Sequence, residues 1–561
     1  MQFEFGTCGK NKSTGKLEKS CHCAESDLIF DRTESRWAED GIPIPGLPES
    51  NRFPFEDPAN AEMAQNVHDA YGQFFRTGTF PENTLLSYAE LPDNTFNIIG
   101  ATEFRYEQIS KNECDALDKA DNYLWDKWNA PFECSGDECT ITLNDGTKFL
   151  GKDRDGVVEF RSVPYAQAPT GPLRWRAPIL IDDYHGAEID AREYASACAS
   201  ILWDGSYPSE SEDCLYLNIN VKRSVLDNKE TTPVIYYIHG GGYNYGSNKE
   251  QYTKMVLEQD VAVISIAYRL GVYGFLVTEE AGNEYNANWG IQDQITAFKW
   301  IQKFGESFGV NIREASLAGC SAGAESTLFH MSNPKTWNYF NKAVTFSVGP
   351  NSAYDLDLGK KLASTFADLA GCSDMDCLRA LPGGSVGQAA LGTVRTVTHP
   401  IKPTLEAGWG AVIDGHLLRD QLKNLFESGD IRPNTPLSWN YNGNESWGLH
   451  TSFFPYSSKI PSLLAKIPQI QTIMKDTGFA IPSDYSDEYL KAVYRADVLD
   501  GVLDQFGCPS ENGQTVDCSE RFSNFLTTST WSCPLRRTLN VMSEVCRIFN
   551  LICKIVYPTP L

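Results

Sequence analysis

The chain has 561 residues, a formal net charge of −25 and a sequence pI near 4.8. This acidic surplus repels phosphate groups, so it argues against nucleic acid or an anionic membrane surface as a partner. No apolar stretch reaches transmembrane length, and the run at 261–268, which stops at Arg269, predicts a buried parallel strand instead. We therefore expect a soluble body with one dominant domain and no membrane span.

Sixteen cysteines predict disulfides and hence an oxidising compartment, either the secretory pathway lumen or the outside of the cell. Several lie in short-range pairs, namely Cys134 with Cys139, Cys372 with Cys377 and Cys508 with Cys518. Residues 1–6 are followed by a lysine-rich polar segment, which is not the apolar run of a signal peptide. The expectation of secretion therefore depends on the cysteines alone.

Residues 319–323, Gly-Cys-Ser-Ala-Gly, fit the pattern G-x-S-x-G and follow the apolar run 315–318. The pattern predicts a nucleophile elbow, in which a strand turns sharply into a helix and exposes one side chain at the top of a sheet. Glycines on both sides remove the Cβ atoms that would obstruct the turn. Ser321 is therefore the candidate nucleophile, although the pattern alone also fits an ordinary strand-to-helix turn.

A second glycine motif, residues 239–242 (His-Gly-Gly-Gly), directly follows the apolar run 234–238. A serine that attacks an ester carbonyl creates an oxyanion, and glycines let backbone N–H groups approach that oxygen closely. Gly241, Gly242 and the N–H of Ala322 are the candidate donors. The two motifs together predict a serine hydrolase that needs neither a cofactor nor a metal.

Apolar runs at 234–238 and 261–268 alternate with longer stretches of helical pattern such as 291–308. This alternation predicts an α/β fold, with a mostly parallel central sheet flanked by helices on both faces. Catalytic groups gather at the carboxyl ends of the strands in such sheets, and both glycine motifs lie there.

From about residue 145 onward, the sequence resembles the type-B carboxylesterase and cholinesterase family of α/β-hydrolases. Besides the two glycine motifs, the resemblance is carried by residues 163–166, 172–178, 211–218, 268–271, 288–294 and 412–415. It implies the α/β-hydrolase fold, hydrolysis of uncharged small-molecule carboxylic esters, and disulfides between Cys198 and Cys214 and between Cys372 and Cys377.

The resemblance also assigns the acid of the catalytic triad to Glu445, in a segment that begins apolar at Pro436 and then turns polar. A carboxylate is needed there because it fixes the tautomer of the catalytic histidine and stabilises its protonated form. A solvated loop glutamate is the alternative interpretation of Glu445.

The histidine of the triad is missing from its usual place. Family members have a Cys-Pro-x-x-Arg-Arg segment, then a strand and then the histidine; residues 533–537 match the segment, but no histidine follows His450. The missing part resembles the beginning of the chain instead. Residues 21–30 are similar to the segment with the catalytic histidine, residues 64–78 to the amphipathic helix that closes the fold, and residues 112–115 to the terminal disulfide segment. His22 is therefore the candidate base, and the resemblance implies a disulfide between Cys114 and Cys533.

The predicted organisation has four parts: residues 1–120 resemble the C-terminal part of a carboxylesterase, 121–139 form a linker, 140–545 form the carboxylesterase body, and 546–561 form a tail outside the family. The order of these parts is that of a circularly permuted α/β-hydrolase. A stretch of a tandem esterase that contains the end of one unit and the beginning of the next would give the same order, so both origins stay open.

Other interpretations remain at several positions. His450 is the fallback base, Cys21-His22-Cys23 also invites a zinc site, and Trp203 invites comparison with the choline-binding tryptophan of cholinesterases, although a buried loop tryptophan fits better. For the whole chain, the alternatives to an esterase are a non-catalytic cholinesterase-like adhesion or recognition protein and an inactive fragment of a tandem esterase. The sequence gives no oligomeric state.

Overall fold

A twisted central sheet organises the molecule. The computed structural model describes residues 2–3, 58–79, 98–99, 131–200, 211–279, 287–350, 353–397, 408–442, 490–491, 496–507, 521, 525, 527, 534–535, 537–538, 541 and 555–556. Within these residues, the strands are β1 (Gln2–Phe3), β2 (Ile98–Ile99), β3 (Phe132–Ser135), β4 (Glu138–Thr142), β5 (Lys148–Arg154), β6 (Val157–Pro164), β7 (Glu188–Asp190), β8 (Tyr216–Lys222), β9 (Thr232–Ile238), β10 (Ala262–Ile266), β11 (Val310–Cys320), β12 (Lys342–Phe346), β13 (Leu437–Asn442) and β14 (Ile555–Val556).

The strand order is β2-β1-β13-β12-β11-β9-β10-β8-β6-β5-β4-β3, with β14 paired to β13 and β7 paired to β5. Pairing is parallel from β2 through β10 and antiparallel from β10 through β8 to β3. The predicted α/β-hydrolase architecture is therefore confirmed in its parallel half, where both glycine motifs lie.

Helices cover both faces of this sheet. Those described are α1 (Pro58–Thr77), α2 (Arg223–Asp227), α3 (Thr253–Gln259), α4 (Gly271–Phe275), α5 (Trp289–Phe304), α6 (Ala322–Ser332), α7 (Leu356–Ala370), α8 (Met375–Ala380), α9 (Gly383–Thr396), α10 (Leu422–Glu427) and α11 (Ala496–Phe506). None of the helices within the described ranges is long and apolar enough to cross a membrane.

The central strands β9 and β10 are largely apolar, and both of their faces are covered. Every residue of β10 is buried, and β9 is buried except at Pro233. On one face, Phe298 of α5 stacks on Tyr236 with ring centroids 5.8 Å apart. On the other face, Ile235 and Tyr237 join a cluster with the side chains of α1. This two-sided burial explains why the strands appear in the sequence as continuous apolar runs.

Helix α1, from the N-terminal part of the chain, is seated firmly on the sheet. Its Tyr71 hydroxyl donates to Asn440 Oδ1 of β13 at 3.1 Å, and the Phe75 carbonyl accepts from Ser316 Oγ of β11 at 3.1 Å. At its end, Arg76 Nη1 donates to Gln259 Oε1 of α3 at 2.7 Å. Hydrogen bonds thus surround an apolar contact in which Phe75 is fully buried.

The first and last of the described strands share one edge of β13. In β14, Ile555 and Val556 pair with Leu437 and Ser438, and in β1, Gln2 and Phe3 pair with Tyr441 and Asn442. Both pairings are parallel, so β14 and β1 follow one another along β13 in the same direction.

The expectation of disulfides is confirmed for three of the expected pairs, whereas Cys508 and Cys518 lie outside the described ranges. The structure contains the bonds Cys134–Cys139, Cys198–Cys214 and Cys372–Cys377. The first closes the β3–β4 hairpin, and the second joins two loops on either side of residues 201–210.

Truncation of Phe75 tests the docking of α1. Phe75→Ala should lower the free energy of unfolding by about 3–5 kcal/mol, because it removes a fully buried ring and leaves a cavity against the sheet. Gln73→Ala, a half-buried position on the same helix, is the matched control and should cost less than about 1 kcal/mol. Urea unfolding of both variants measures the difference, and equal midpoints would contradict this packing.

His330 predicts a pH dependence of stability. It is fully buried, its Nε2 lies 2.9 Å from Gln294 Oε1, and burial lowers the pKa of its imidazole to about 3. Below the ordinary imidazole pKa of about 6.5, the unfolded chain binds a proton that the folded chain refuses. The free energy of unfolding should therefore fall by about 1.4 kcal/mol per pH unit below that pKa. Urea unfolding between pH 7.5 and 5.5 should show a shallower decline for His330→Asn, and an unchanged slope would count against this assignment.

Candidate active site

The nucleophile elbow forms between β11 and α6. Ser321 has φ 56° and ψ −122°, a combination that a residue with a Cβ atom adopts only under strain. Two backbone hydrogen bonds hold it there: the Ser321 N–H donates to Phe346 O at 2.9 Å, and the Ser321 carbonyl accepts from the Glu325 N–H at 2.9 Å. The strain is thus balanced by the neighbouring strand β12 on one side and by the first turn of α6 on the other.

Glycines in the elbow are required by close backbone contacts. A Cβ atom on Gly323 would lie 2.0 Å from the carbonyl oxygen of Ile238, and one on Gly319 would lie 2.3 Å from that of Gly323. Both distances are far below van der Waals contact. The start of α6 therefore lies directly against the carboxyl end of β9, where the glycine loop begins.

The glycine loop passes beside the serine. A Cβ atom on Gly240 would lie 3.1 Å from Ser321 Cβ, so the two segments are in contact. Gly241 has φ 112° and its carbonyl accepts the N–H groups of Asn244 and Tyr245 at 3.0 and 3.1 Å. Gly242 has φ 58° and is exposed. Of the predicted site residues, Ser321, Gly241, Gly242 and Ala322 are thus brought together on two adjoining turns.

Side chains from outside the motif fix the loop. Asn244 Nδ2 donates to Gly242 O at 2.6 Å and to Trp409 O at 2.8 Å, while its Oδ1 accepts the Trp409 N–H at 2.9 Å. Beneath the loop, His239 stacks on Tyr268 with ring centroids 4.5 Å apart, and the Tyr268 hydroxyl donates to the His239 carbonyl at 2.9 Å. A rigid loop suits an oxyanion site, since donors that are already in place need no reorganisation during the reaction.

Glu325 is a buried acid near the site that sequence reasoning missed. It lies one helical turn after Ser321 and is 5% exposed. Burial first, and the Glu325 carboxylate second, raise the pKa values of the Tyr243 and Tyr268 hydroxyls. Tyr243 directly follows the candidate donor Gly242, so this acid lies under the glycine loop. The sequence signal was its spacing, because residues four apart share one face of a helix.

The remaining predicted residues lie outside the described ranges. These are His22, Glu445, Cys114 and Cys533, and the alternatives His450 and Trp203. Strand β13 is described through Asn442, and it ends at the same edge of the sheet as β11. The candidate acid therefore follows a strand whose carboxyl end faces the elbow side of the sheet.

Substitution of Gly323 tests the contact between the elbow and β9. Gly323→Ala should abolish labelling of Ser321 by a fluorophosphonate probe, because the added methyl group would overlap the Ile238 carbonyl and displace the turn. Gly384→Ala is the matched control: Gly384 lies in helix α9, where a Cβ atom meets nothing within 4 Å. The control should label as the parent does, and labelling of Gly323→Ala at the parent rate would contradict the geometry.

The chain is similar to known esterases and to esterase-like proteins. The model of the carboxylesterase family matches residues 140–551. The acetylcholinesterase of Electrophorus electricus is 30% identical over 325 residues, which cover 54% of this chain and 49% of that protein. A neuroligin-like protein of Caenorhabditis elegans, glit-1, is 33% identical over 247 residues, covering 41% of this chain and 33% of that protein.

Among solved structures, a PNB esterase superposes with a TM-score of 0.57 at 22% identity, covering 72% of this chain and 78% of that one. At this identity the superposition supports the α/β-hydrolase fold. The chain spans about half the length of the acetylcholinesterase and a third of that of the neuroligin-like protein. Because the family model matches most of its length, the chain belongs to the carboxylesterase family.

Proposed function

We propose that the protein is a serine esterase that cleaves uncharged carboxylic esters of small molecules through an acyl-enzyme. One observation carries this proposal: a strained Ser321 lies in contact with a glycine loop that leaves the neighbouring strand. This is the arrangement that attack on an ester carbonyl requires, because nucleophile and oxyanion donors must converge on one carbon atom.

In the proposed mechanism, Ser321 Oγ attacks the ester carbonyl while its proton moves to the imidazole of His22. Backbone N–H groups of Gly241, Gly242 and Ala322 stabilise the oxyanion, and Glu445 holds the imidazole and its positive charge. His22 then gives the proton to the departing alkoxide, which leaves as the alcohol. A water molecule, deprotonated by the same imidazole, attacks the acyl-serine, and the carboxylic acid is released with Ser321 restored.

The position of α1 and β1 supports the assignment of His22. Both elements come from the N-terminal part that resembles a carboxylesterase C-terminus, and both are seated on the parallel half of the sheet. The residues between them include His22. The permuted order of parts is therefore compatible with delivery of a base to the elbow, and we propose that it does so.

The proposed setting is an oxidising compartment. Three described disulfides fit the secretory pathway or the outside of the cell, where such bonds persist. The substrate we propose is a small uncharged ester, as the family resemblance implies.

The rival function is recognition without catalysis. It is favoured by the similarity to a neuroligin-like protein. It is opposed by the serine and the glycine loop, since a protein that only binds a partner has no need of a strained serine beside oxyanion donors.

Hydrolysis of a short-chain chromogenic ester by the purified chain tests the proposal. Ser321→Ala should lower kcat by at least about 10⁴-fold, and His22→Ala by a similar factor, because the two residues act as one unit. Glu445→Gln should lower it less, and His450→Ala not at all. His185→Asn is the control, since the His185 side chain is 84% exposed and asparagine tolerates its positive φ.

The relative losses of kcat in these variants decide between the candidate functions. An unchanged rate for His22→Ala beside an inactive Ser321→Ala would refute His22 as the base. No turnover by the parent would refute the esterase proposal. A cooperative thermal transition of the inactive parent would then favour recognition, and its absence would favour an incomplete fragment.

A further inference from the structure

Helices α1 and α3 pack together on one face of the sheet and bring one histidine and two carboxylates into a single cluster. These are His68 and Asp69 of α1 and Glu258 of α3, and one ligand atom from each lies within 4.8 Å of those of the other two. The His68 side chain is 1% exposed, that of Glu258 is 42% exposed, and Asp69 is exposed. A buried imidazole thus lies beside two acids that solvent reaches, apart from the residues of the candidate active site.

The spacing of these groups suits one small divalent cation. His68 Nε2 and Glu258 Oε2 are 3.5 Å apart. Two ligands of a tetrahedral zinc ion, each about 2.0–2.2 Å from the metal, lie about 3.4 Å from one another. The two atoms are therefore already at the separation of two ligands of one ion. A shift of about 1–1.5 Å brings the Asp69 carboxylate to the same spacing, and an exposed side chain is free to make it.

Two glutamines gather the carboxylates of this cluster. Gln65 Nε2 donates to Asp69 Oδ1 at 3.1 Å and to Glu258 Oε2 at 3.0 Å, and Gln259 Nε2 donates to Asp69 Oδ1 at 2.6 Å. A single amide nitrogen thus draws two like charges together, and a neutral amide leaves their sum uncancelled. A divalent cation cancels it. The net charge of −25 on the whole chain adds to the attraction for cations.

The donor atoms select the kind of ion. Mg²⁺ and Ca²⁺ prefer sets made of oxygen atoms alone, whereas an imidazole nitrogen beside carboxylate oxygens suits Zn²⁺. Three protein ligands leave a fourth tetrahedral position, which solvent fills on the exposed side of Asp69. The glutamines that donate to the carboxylates are the kind of partner that orients metal ligands in proteins.

We propose that His68, Asp69 and Glu258 bind a Zn²⁺ ion that links α1 to α3. The inference goes beyond the proposed function and does not depend on it, since the ion has a structural role. Tyr71 and Phe75 follow His68 at three and seven residues, so the three side chains share one face of α1.

That face is the one with which α1 packs on the body of the chain. Tyr71 and Phe75 belong to the same apolar cluster as Met255 and Val256 of α3. An ion held by both helices therefore closes the edge of this apolar contact. Its binding free energy adds to the docking of α1, because the three ligands come together only when the helix is in place.

Zinc titration of the purified, chelator-treated full chain tests the site. Isothermal titration calorimetry with zinc chloride should give an affinity that falls at least about 10-fold in Asp69→Asn and in Glu258→Gln, because each variant loses one ligand. Both side chains reach solvent and both replacements keep an acceptor for Gln65, so the variants should fold. Thermal melts without zinc check this.

The control is Glu188→Gln, an exposed acid of β7 at the other end of the sheet. It removes the same charge and should bind zinc as the parent does. Comparison of parent and variant isolates this site from any other zinc-binding groups of the chain. Magnesium chloride at the same concentration should leave the Tm of the parent unchanged, whereas zinc chloride should raise it by at least about 2 °C.

Hydrogen exchange measures the link between the helices. Zinc should slow amide exchange within residues 58–77 of the parent and should not do so in Glu258→Gln. Equal zinc affinity in the parent and both ligand variants would overturn the proposal, as would a parent that binds no zinc, which would leave an ion pair between His68 and Glu258. An equal loss in Glu188→Gln would show a general effect of charge and would also overturn it. Binding without slower exchange in α1 would overturn the structural role.

Discussion

The close approach of Gly323 to the carboxyl end of β9 is the contact on which the site depends. There is no room for a Cβ atom between the start of α6 and the Ile238 carbonyl, so the elbow and the glycine loop are pressed together. Their separation is therefore set by backbone atoms, which cannot adjust as side chains can. Ser321 and the glycine loop gain their relative position from this contact.

Strand pairing and packing within the sheet maintain this contact. Strands β9 and β11 are adjacent and parallel, so their carboxyl ends meet at the same edge. Residues on both sides of β9 are buried, on one face against α5 and on the other against α1. Displacing either strand would expose apolar surface on two faces at once. The strained φ of Ser321 is stable because the surrounding packing costs more to disturb than the strain costs to keep.

The sequence predicted the parts of the fold whose signals are local. The runs 234–238 and 261–268 coincide with β9 and with β10 at 262–266, the stretch 291–308 overlaps α5, which begins at Trp289, and the glycine motifs lie at strand ends. It did not predict Glu325, because a glutamate in the first turn of a helix has the pattern of a solvated residue, and its burial depends on tyrosines from two other segments. The pairing of β1 and β14 on one edge of β13 could also not be predicted from the sequence. Strands of two residues carry no periodicity, and their pairing is decided by the partner.

The pairing of β1 and β14 along one edge of β13 bears on the proposed order, in which the N-terminal part of the chain supplies the C-terminal part of the fold. The two strands divide that edge, β14 beside Leu437 and β1 beside Tyr441. Helix α1 packs on the same sheet through a buried aromatic cluster that includes Cys320, the residue before Ser321. The N-terminal part of the chain is thus in contact with the strand that ends at Ser321, which is what delivery of the proposed base from that part requires.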